Sequence, residues 1–121
     1  MKFMTIVKTR ETGAHPSLAL IEKIGKLGEE AAKKGVMVGM GGLLPTAVGA
    51  RARLANGKIT VTDGPFTEAK EIIGGYAIYD VASKQEAVEW TRKFLEAHIG
   101  LWLQDIEVEV RQMMDDPSEG C

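Results

Sequence analysis

Two amphipathic helical segments, each flanked by strand-like segments, constrain the fold of this chain most. The first begins at Ser17, a favoured helix N-cap, and ends at Gly35. The second begins at Ser83, where Glu86 completes a capping box, and ends at Gly100. Residues at three- and four-residue spacing give each helix a mostly apolar face, formed by Leu20, Ile21, Ile24, Leu27 and Ala31 and by Ala87, Trp90, Thr91, Phe94 and His98. Each helix must therefore pack that face against another layer.

Six segments predict β-strands, and their order fixes the fold class. They are residues 3–8, 36–44, 50–54, 59–62, 76–81 and 106–111. Asn56-Gly57 is a strong signal of a two-residue hairpin, with Ile59 and Val61 expected to point inward, and glycines at 39, 41 and 42 predict a bulge or bend. The prediction is an α+β, ferredoxin-like βαββαβ fold with an extra central hairpin, whose antiparallel sheet carries both helices on one face.

Length and composition limit the number of domains and argue against some classes of protein, such as nucleic-acid-binding proteins. The 121 residues predict one domain over residues 1–113 and a short acidic tail over 114–121. A net charge of -2 with mixed signs argues against a nucleic-acid partner. No apolar run approaches the ~20 residues of a membrane helix. The only cysteine is Cys121, so an internal disulfide is impossible, and a cytoplasmic location is expected.

Metal and cofactor motifs are absent from the sequence. His15 and His98 are isolated and have no metal-binding spacing, so we expect no metal. The glycine-rich segment lacks both the phosphate-loop and the dinucleotide-binding patterns, so we expect no cofactor.

The most informative segment is Thr62-Asp63-Gly64-Pro65-Phe66-Thr67-Glu68-Ala69-Lys70-Glu71. A plain connector needs no such set of charges, and loops on a rigid scaffold are where function concentrates. Asp63 is either the acceptor of an Asx-turn or a general acid or base in a cleft. We interpret Gly64 and Pro65 as structural, and Phe66 as a plug of the core or dimer interface or a platform for a ligand.

The charges that follow this turn have two interpretations. Glu68 and Glu71 lie three residues apart, so one could serve as an acid and the other as a base, with Lys70 holding an anionic substrate. The alternative is a solvated charged turn, in which ion pairs contribute only ~0–1 kcal/mol to stability.

Four further residues are candidates for the site. His15, in the loop after the first strand, is a catalytic base or a surface residue. Arg51 and Arg53 point the same way on the hairpin and either bind carboxylates or protect a sheet edge. Tyr76 directs its hydroxyl into the cleft or packs in the core. His98 is interpreted as a structural cation at a helix end.

The sheet face opposite the helices also needs cover. Several strands are apolar on both sides, as in Val36-Met37-Val38 and Ile72-Ile73. A second copy of the chain is the simplest cover, so we predict a homodimer that packs sheet against sheet.

Residues 61–71, followed by Gly74-Gly75-Tyr76, closely resemble the signature of the DGPF branch of the YCII-related family. Other segments that agree are Gly35-Val36-Met37, Gly42-Leu43-Leu44-Pro45, Gly57-Lys58, Ser83-Lys84-Gln85-Glu86-Ala87 and Arg111-Gln112. The resemblance covers residues 1 to about 113 and departs from the family pattern at the apolar segment 99–103. The resemblance implies that the chain forms a dimeric α+β barrel. The family is largely without an assigned reaction, and some of its members are linked to sigma factors.

Two functions remain open at this stage. One is an enzyme that transfers a proton to or from a small molecule in a sheet cleft covered by residues 63–71, with Asp63, Glu68 or His15 as the acid or base. The other is a non-catalytic module that senses a metabolite or docks a partner protein.

Overall fold

The computed structural model describes residues 1–115 as two helices and two antiparallel sheets. The strands are β1 (Lys2–Thr9), β2 (Met37–Gly42), β3 (Ala50–Ala55), β4 (Lys58–Asp63), β5 (Ile72–Asp80) and β6 (Ile106–Gln112), and the helices are α1 (Leu18–Lys33) and α2 (Lys84–His98). Four strands form one sheet in the order β2-β5-β1-β6, and β3 and β4 pair separately. The predicted ferredoxin-like α+β fold with a central hairpin is confirmed. The acidic tail lies mostly outside the described residues.

Local sequence signals set the element ends. The Ser17 hydroxyl accepts a hydrogen bond from the Leu20 N–H at 3.2 Å and so caps α1. At α2 the Ser83 hydroxyl accepts from the Glu86 N–H, also at 3.2 Å, while the Glu86 carboxylate accepts from the Ala82 N–H at 3.0 Å. The capping box is therefore present, except that the Glu86 carboxylate accepts from the N–H of Ala82 and not from that of the N-cap residue Ser83.

The turn between β3 and β4 also follows the prediction. Asn56 and Gly57 adopt φ angles of 52° and 76°, which are the left-handed conformations that a type I′ hairpin turn requires. The register of β2 against β5 shifts between Met37 and Gly39, which confirms the predicted irregularity in that strand.

The core lies between the helices and one half of the sheet. Phe3, Tyr79 and Trp90 are 5% exposed or less, and Tyr79 stacks on Trp90 with ring centroids 5.9 Å apart. Ala31 and Ala87 bring the two helices close to this cluster, because neither has a side chain beyond Cβ. This packed end holds the helical layer on the sheet.

Three apolar residues do not lie where the sequence pattern placed them. Ile59 and Val61 were expected inward but are 75% and 68% exposed, because the hairpin forms its own two-stranded sheet apart from the other four strands. Ile21 was assigned to the apolar face of α1 but is 51% exposed. Strand β5 also begins at Ile72, four residues before the predicted start, and its first part pairs with the end of β1.

Gly64 lies where the loop after β4 comes into close contact with the backbone at Thr46. A Cβ atom there would overlap the carbonyl oxygen of Thr46, which belongs to the 3₁₀ turn Thr46–Val48. The Gly64 N–H also donates a hydrogen bond to the Gly49 carbonyl at 2.9 Å. The loop after β4 can therefore lie this close to the 3₁₀ turn only with glycine at position 64.

Gly64→Ala should lower the free energy of unfolding by about 1–3 kcal/mol, because the added methyl group has to displace backbone atoms rather than a flexible side chain. Urea denaturation of the purified proteins measures the change. Gly25→Ala is the matched control: Gly25 lies inside α1 with no heavy atom within 4 Å of the added Cβ, so that variant should be as stable as the wild type or more stable. Equal stability of Gly64→Ala and wild type would show that the loop does not need the close approach.

Candidate functional site

A cavity of about 490 Å³ lies between the helical layer and the sheet, next to the packed core. Its walls are mainly apolar and include Leu20, Ile24, Met40, Phe94 and Val108. The volume falls in the ~300–1,000 Å³ range of small-molecule sites.

The cavity follows from a decrease in side-chain size along two adjacent strands. The helix-facing residues of β5 pass from Tyr79 to Ala77 to Gly75, and these face Phe3, Thr5 and Val7 of β1. Large rings fill the space between sheet and helices at one end, whereas the small residues leave it open at the other. This decrease in side-chain size can be recognised in the sequence only when the register of β1 against β5 is known.

Two polar atoms at the cavity are buried without a protein partner. The Thr9 hydroxyl and the Trp102 indole N–H make no hydrogen bond within residues 1–115. Both residues border the cavity. A buried polar atom left unpaired costs about 1–3 kcal/mol of stability. The sequence interpretation missed both residues, because Trp102 lies in an apolar segment and Thr9 ends a strand.

His98 also borders the cavity and has a defined tautomer. Its Nδ1 lies 2.8 Å from the carbonyl oxygen of Phe94, so Nδ1–H must donate to that oxygen. In the neutral ring Nε2 then carries a lone pair and can accept a hydrogen bond. The ring is held between Phe94, with centroids 4.6 Å apart, and Trp102, at 6.4 Å. From the sequence, His98 was interpreted as structural only, because a cation at a helix C-terminus is already explained by the helix dipole.

Two of the residues predicted for the site border this cavity. His15 lies at its exposed edge, in the loop before α1. Tyr76 borders it as well, but its register with Ile6 and Gly41 puts its side chain on the sheet face that points away from the helices. The Tyr76 ring covers Gly41 so closely that a Cβ at position 41 would lie 3.2 Å from it.

The segment 63–71 does not line the cavity and is instead attached to one of its walls. The Phe66 N–H donates to the Thr46 hydroxyl at 3.1 Å, and that hydroxyl donates to the Glu11 carboxylate at 2.6 Å. The Thr46 N–H donates to the second Glu11 oxygen at 2.9 Å. Glu11 borders the cavity, and so does Pro45, the residue before Thr46. One hydroxyl group thus connects the motif to two segments at the edge of the cavity.

Arg51 organises the charged part of the motif. Its guanidinium group forms a salt bridge with Glu68 and lies over the Phe66 ring, 4.1 Å from the ring centroid. Glu71 borders a separate depression together with Arg10 and Asp105. The acid–base pairing of Glu68 with Glu71 stays a prediction.

The other predicted site residues remain solvent-exposed. Within residues 1–115 no hydrogen bond or salt bridge of the Asp63, Arg53 or Lys70 side chain is found. Asp63 ends β4 as predicted. Arg53 shares a face of the hairpin with Arg51, as the alternation of a strand requires.

The hydrogen bonds from Thr46, the side-chain bond first, lower the pKa of the Glu11 carboxyl below its ordinary value. A lowered folded-state pKa means that the stabilisation is present above the pKa of the unfolded chain and is lost as pH falls through the folded-state pKa.

Glu11→Gln should therefore be less stable than wild type at pH 7, and the difference should shrink as pH falls below about 4.3, where the unfolded-state carboxyl takes up its proton. Urea denaturation at pH 7 and at pH 3 measures this. Glu22→Gln is the control, since Glu22 is exposed on α1 and has no ion pair within the described chain. A Glu11→Gln difference that is the same at both pH values would contradict the role assigned to the carboxylate.

Residues 1–115 contain neither a membrane-spanning helix nor a cluster of metal ligands. None of the helices there is long and apolar enough to cross a membrane. No group of three or more His, Cys, Asp or Glu side chains in that range is placed to hold a metal ion. Cys121 lies outside the described residues.

Comparison with known proteins gives one relative and one family. An uncharacterized protein of Rhizobium meliloti (strain 1021) is 39% identical over 56 residues, which are 46% of this chain and 45% of that protein. The match thus spans about half the length of either protein. The model of the YCII-related domain matches residues 1–113, nearly the whole described chain. The chain belongs to the YCII-related family.

Proposed function

We propose that the protein binds a small molecule in the cavity between its helices and its sheet. The observation that carries this proposal is a mainly apolar space of about 490 Å³ between helices and sheet, which His98 borders. A hydrophobic pocket with a few placed polar groups is the usual form of a small-molecule site. The DGPF motif, by which we place the chain in that branch of the family, would support the wall of this site through Thr46.

Proton transfer is the chemistry that these residues favour. His98 offers Nε2 to a bound molecule, with the ring orientation set by Phe94, which is how a general base is commonly positioned. His15, at the exposed edge of the cavity, is a second acid or base. Asp63 and Glu68 lie outside the cavity walls, so their part in catalysis would require a ligand that extends to the loop.

A sensing module without chemistry is the alternative function. The connection from Phe66 through Thr46 to Glu11 favours it, because a ligand that moved the wall of the cavity would also move the exposed motif loop. Turnover of any bound compound in a His98-dependent way would exclude this alternative.

The first test is a thermal-shift screen against a metabolite library. A ligand at a hundred times its dissociation constant adds roughly 2.7 kcal/mol to the stability of the folded state, which is readily visible. Thr9→Val and Trp102→Phe should reduce the response to a ligand that stabilises wild type, whereas Asp63→Asn should retain it. If Asp63→Asn loses the response while both cavity variants keep it, the motif loop is the binding site and the cavity is not.

We also propose that the protein is a homodimer formed through the sheet face opposite the helices. Two cross-strand pairs occupy the centre of that face, Met4 with Ile78 and Ile6 with Tyr76. At its β6 edge, Lys8 lies 3.5 Å from Glu107 and 3.3 Å from Glu109, so the charges there are paired within one protomer. An apolar centre with a paired charged rim is typical of a protein–protein interface.

The accessible surface supports this second proposal. The chain exposes 8804 Å², whereas a monomer of 13.1 kDa is expected to expose about 6,400 Å². The chain thus exposes about 2,400 Å² more than expected, part of it in the hairpin β3–β4, which is exposed throughout. Each partner of a stable interface buries ~800 Å² or more.

Ile78→Lys should convert the dimer to a monomer, because it places a charge in the centre of an apolar contact. Analytical ultracentrifugation at micromolar concentration measures the mass. Ile21→Lys, which changes an exposed isoleucine on the helical side, should remain dimeric. A monomeric wild-type protein at that concentration would overturn the proposal.

A further inference from the structure

The hairpin of β3 and β4 has one apolar face and one polar face. The apolar face carries two cross-strand pairs, Ala52 with Val61 and Leu54 with Ile59. The other face carries three cations and two threonines: Arg51, Arg53, Lys58, Thr60 and Thr62. Leu54, Ile59 and Val61 are 72%, 75% and 68% exposed. No other segment within residues 1–115 therefore covers the apolar face.

The hairpin contacts its own chain through the polar face and through its base. The Arg51 guanidinium group pairs with Glu68 and lies over the Phe66 ring. At the base, the Gly64 N–H donates to the Gly49 carbonyl at 2.9 Å. A hairpin that packed on its own domain would bury the apolar face and leave the cations in water. The observed orientation is the reverse, as expected of a surface that packs against another molecule.

The stability of the hairpin also calls for such a contact. Two strands without a third strand or a covering layer are at best marginally stable in water. The turn at Asn56 and Gly57 and the bond at the base fix the two ends of the hairpin, but neither buries an apolar side chain. A layer that covers Leu54 and Ile59 would supply the missing burial.

The hairpin follows directly from the apolar edge of the sheet face through which we propose that the dimer forms. Strand β2 is the edge strand opposite β6 and contains only methionine, valine and glycine. Met37 packs against the core, whereas its neighbour Val38 is 52% exposed. That sheet face is thus charged at its β6 edge and apolar at its β2 edge, from which the chain continues into the 3₁₀ turn and the hairpin.

A second copy of the chain is the occupant that fits both uncovered surfaces. In a two-fold symmetric dimer the same patch of each chain takes part, so one interface covers both hairpins and both sheet faces. The chain exposes about 2,400 Å² more than a monomer of its mass is expected to, and a stable interface buries ~800 Å² or more of each partner. The exposed area is therefore sufficient for an interface that includes the hairpin.

We infer that the hairpin, residues 50–63, is a dimerisation arm whose apolar face packs against a second copy of the chain. This inference rests on the proposed homodimer and adds a second element to its interface. It also gives the segment 63–71 a defined task. Gly64, Phe66 and Glu68 hold the hairpin in the orientation that presents its apolar face to the partner.

Substitution of one cross-strand pair on each face tests the inference. Leu54→Ser combined with Ile59→Ser removes apolar contacts and should raise the dissociation constant of the dimer at least about tenfold. Arg53→Ser combined with Thr60→Ser changes the neighbouring pair on the polar face and should leave that constant within about twofold of wild type. Both variants carry two serines at paired positions of the same hairpin. Sedimentation velocity over a dilution series measures the dissociation constants.

The contact itself is measured on the unmutated protein. In a dimer of one ¹³C-labelled and one unlabelled chain, isotope-filtered spectra should show nuclear Overhauser effects from the Leu54 and Ile59 methyl groups to the partner. This measurement does not depend on whether the serine variants fold.

The outcomes distinguish the arm from the dimer. A monomeric wild-type protein at micromolar concentration would overturn both. A dimer whose hairpin methyl groups show no intermolecular effects would overturn the arm and leave the sheet-face dimer intact, even if the Leu54–Ile59 variant dissociates more readily through a change in its own fold. In that case the apolar face would be free for a different protein.

Discussion

The hydroxyl group of Thr46 holds together the three segments around one end of this molecule. It accepts a hydrogen bond from the Phe66 backbone and donates one to Glu11, which also accepts from the Thr46 backbone. Gly64 permits this arrangement, because any side chain there would overlap the Thr46 carbonyl. The loop after β1, the 3₁₀ turn and the DGPF segment are thereby fixed relative to one another, and the outer wall of the cavity takes its position from them.

The same fold is filled at one end and open at the other. Strands β1 and β5 pair from Lys2 to Thr9 with one register shift between Val7 and Lys8, so the sheet reaches from one end of the domain to the other. What changes is side-chain size on the face toward the helices, from the Phe3 and Tyr79 rings to residues such as Gly75. The packed end supplies stability through apolar burial, and the open end retains space and polar groups. A division of this kind allows a small domain to carry a site without losing its core.

Much of the architecture could be predicted from local sequence signals. Ser17, Ser83 and Asn56-Gly57 each act through bonds or dihedral angles within a few residues, so their meaning does not depend on the rest of the fold. The inward placement of Ile59 and Val61 could not be predicted in the same way. Alternation says which residues share a face of a strand, but only tertiary structure decides whether another layer covers that face.

The candidate site was harder to predict, for a physical reason. Residues 63–71 draw attention because their charged and aromatic side chains are close in sequence. Their best-defined contacts are nevertheless structural: Glu68 and Phe66 contact Arg51, and the Phe66 N–H donates to Thr46. The cavity residues Thr9, His98 and Trp102 are far apart in sequence and come together through strand register and the end of α2. No spacing rule could have grouped them.

The indole N–H resonances in a ¹H–¹⁵N spectrum test the central claim most directly, because the chain has only two tryptophans. Trp90 lies in the packed core and Trp102 at the cavity, and the spectrum of Trp102→Phe assigns the two signals. Titration with a stabilising ligand should shift the Trp102 indole signal and leave that of Trp90 nearly unchanged. If neither indole signal moves while backbone signals of residues 63–71 do, the ligand binds at the motif loop and the account of the cavity is wrong.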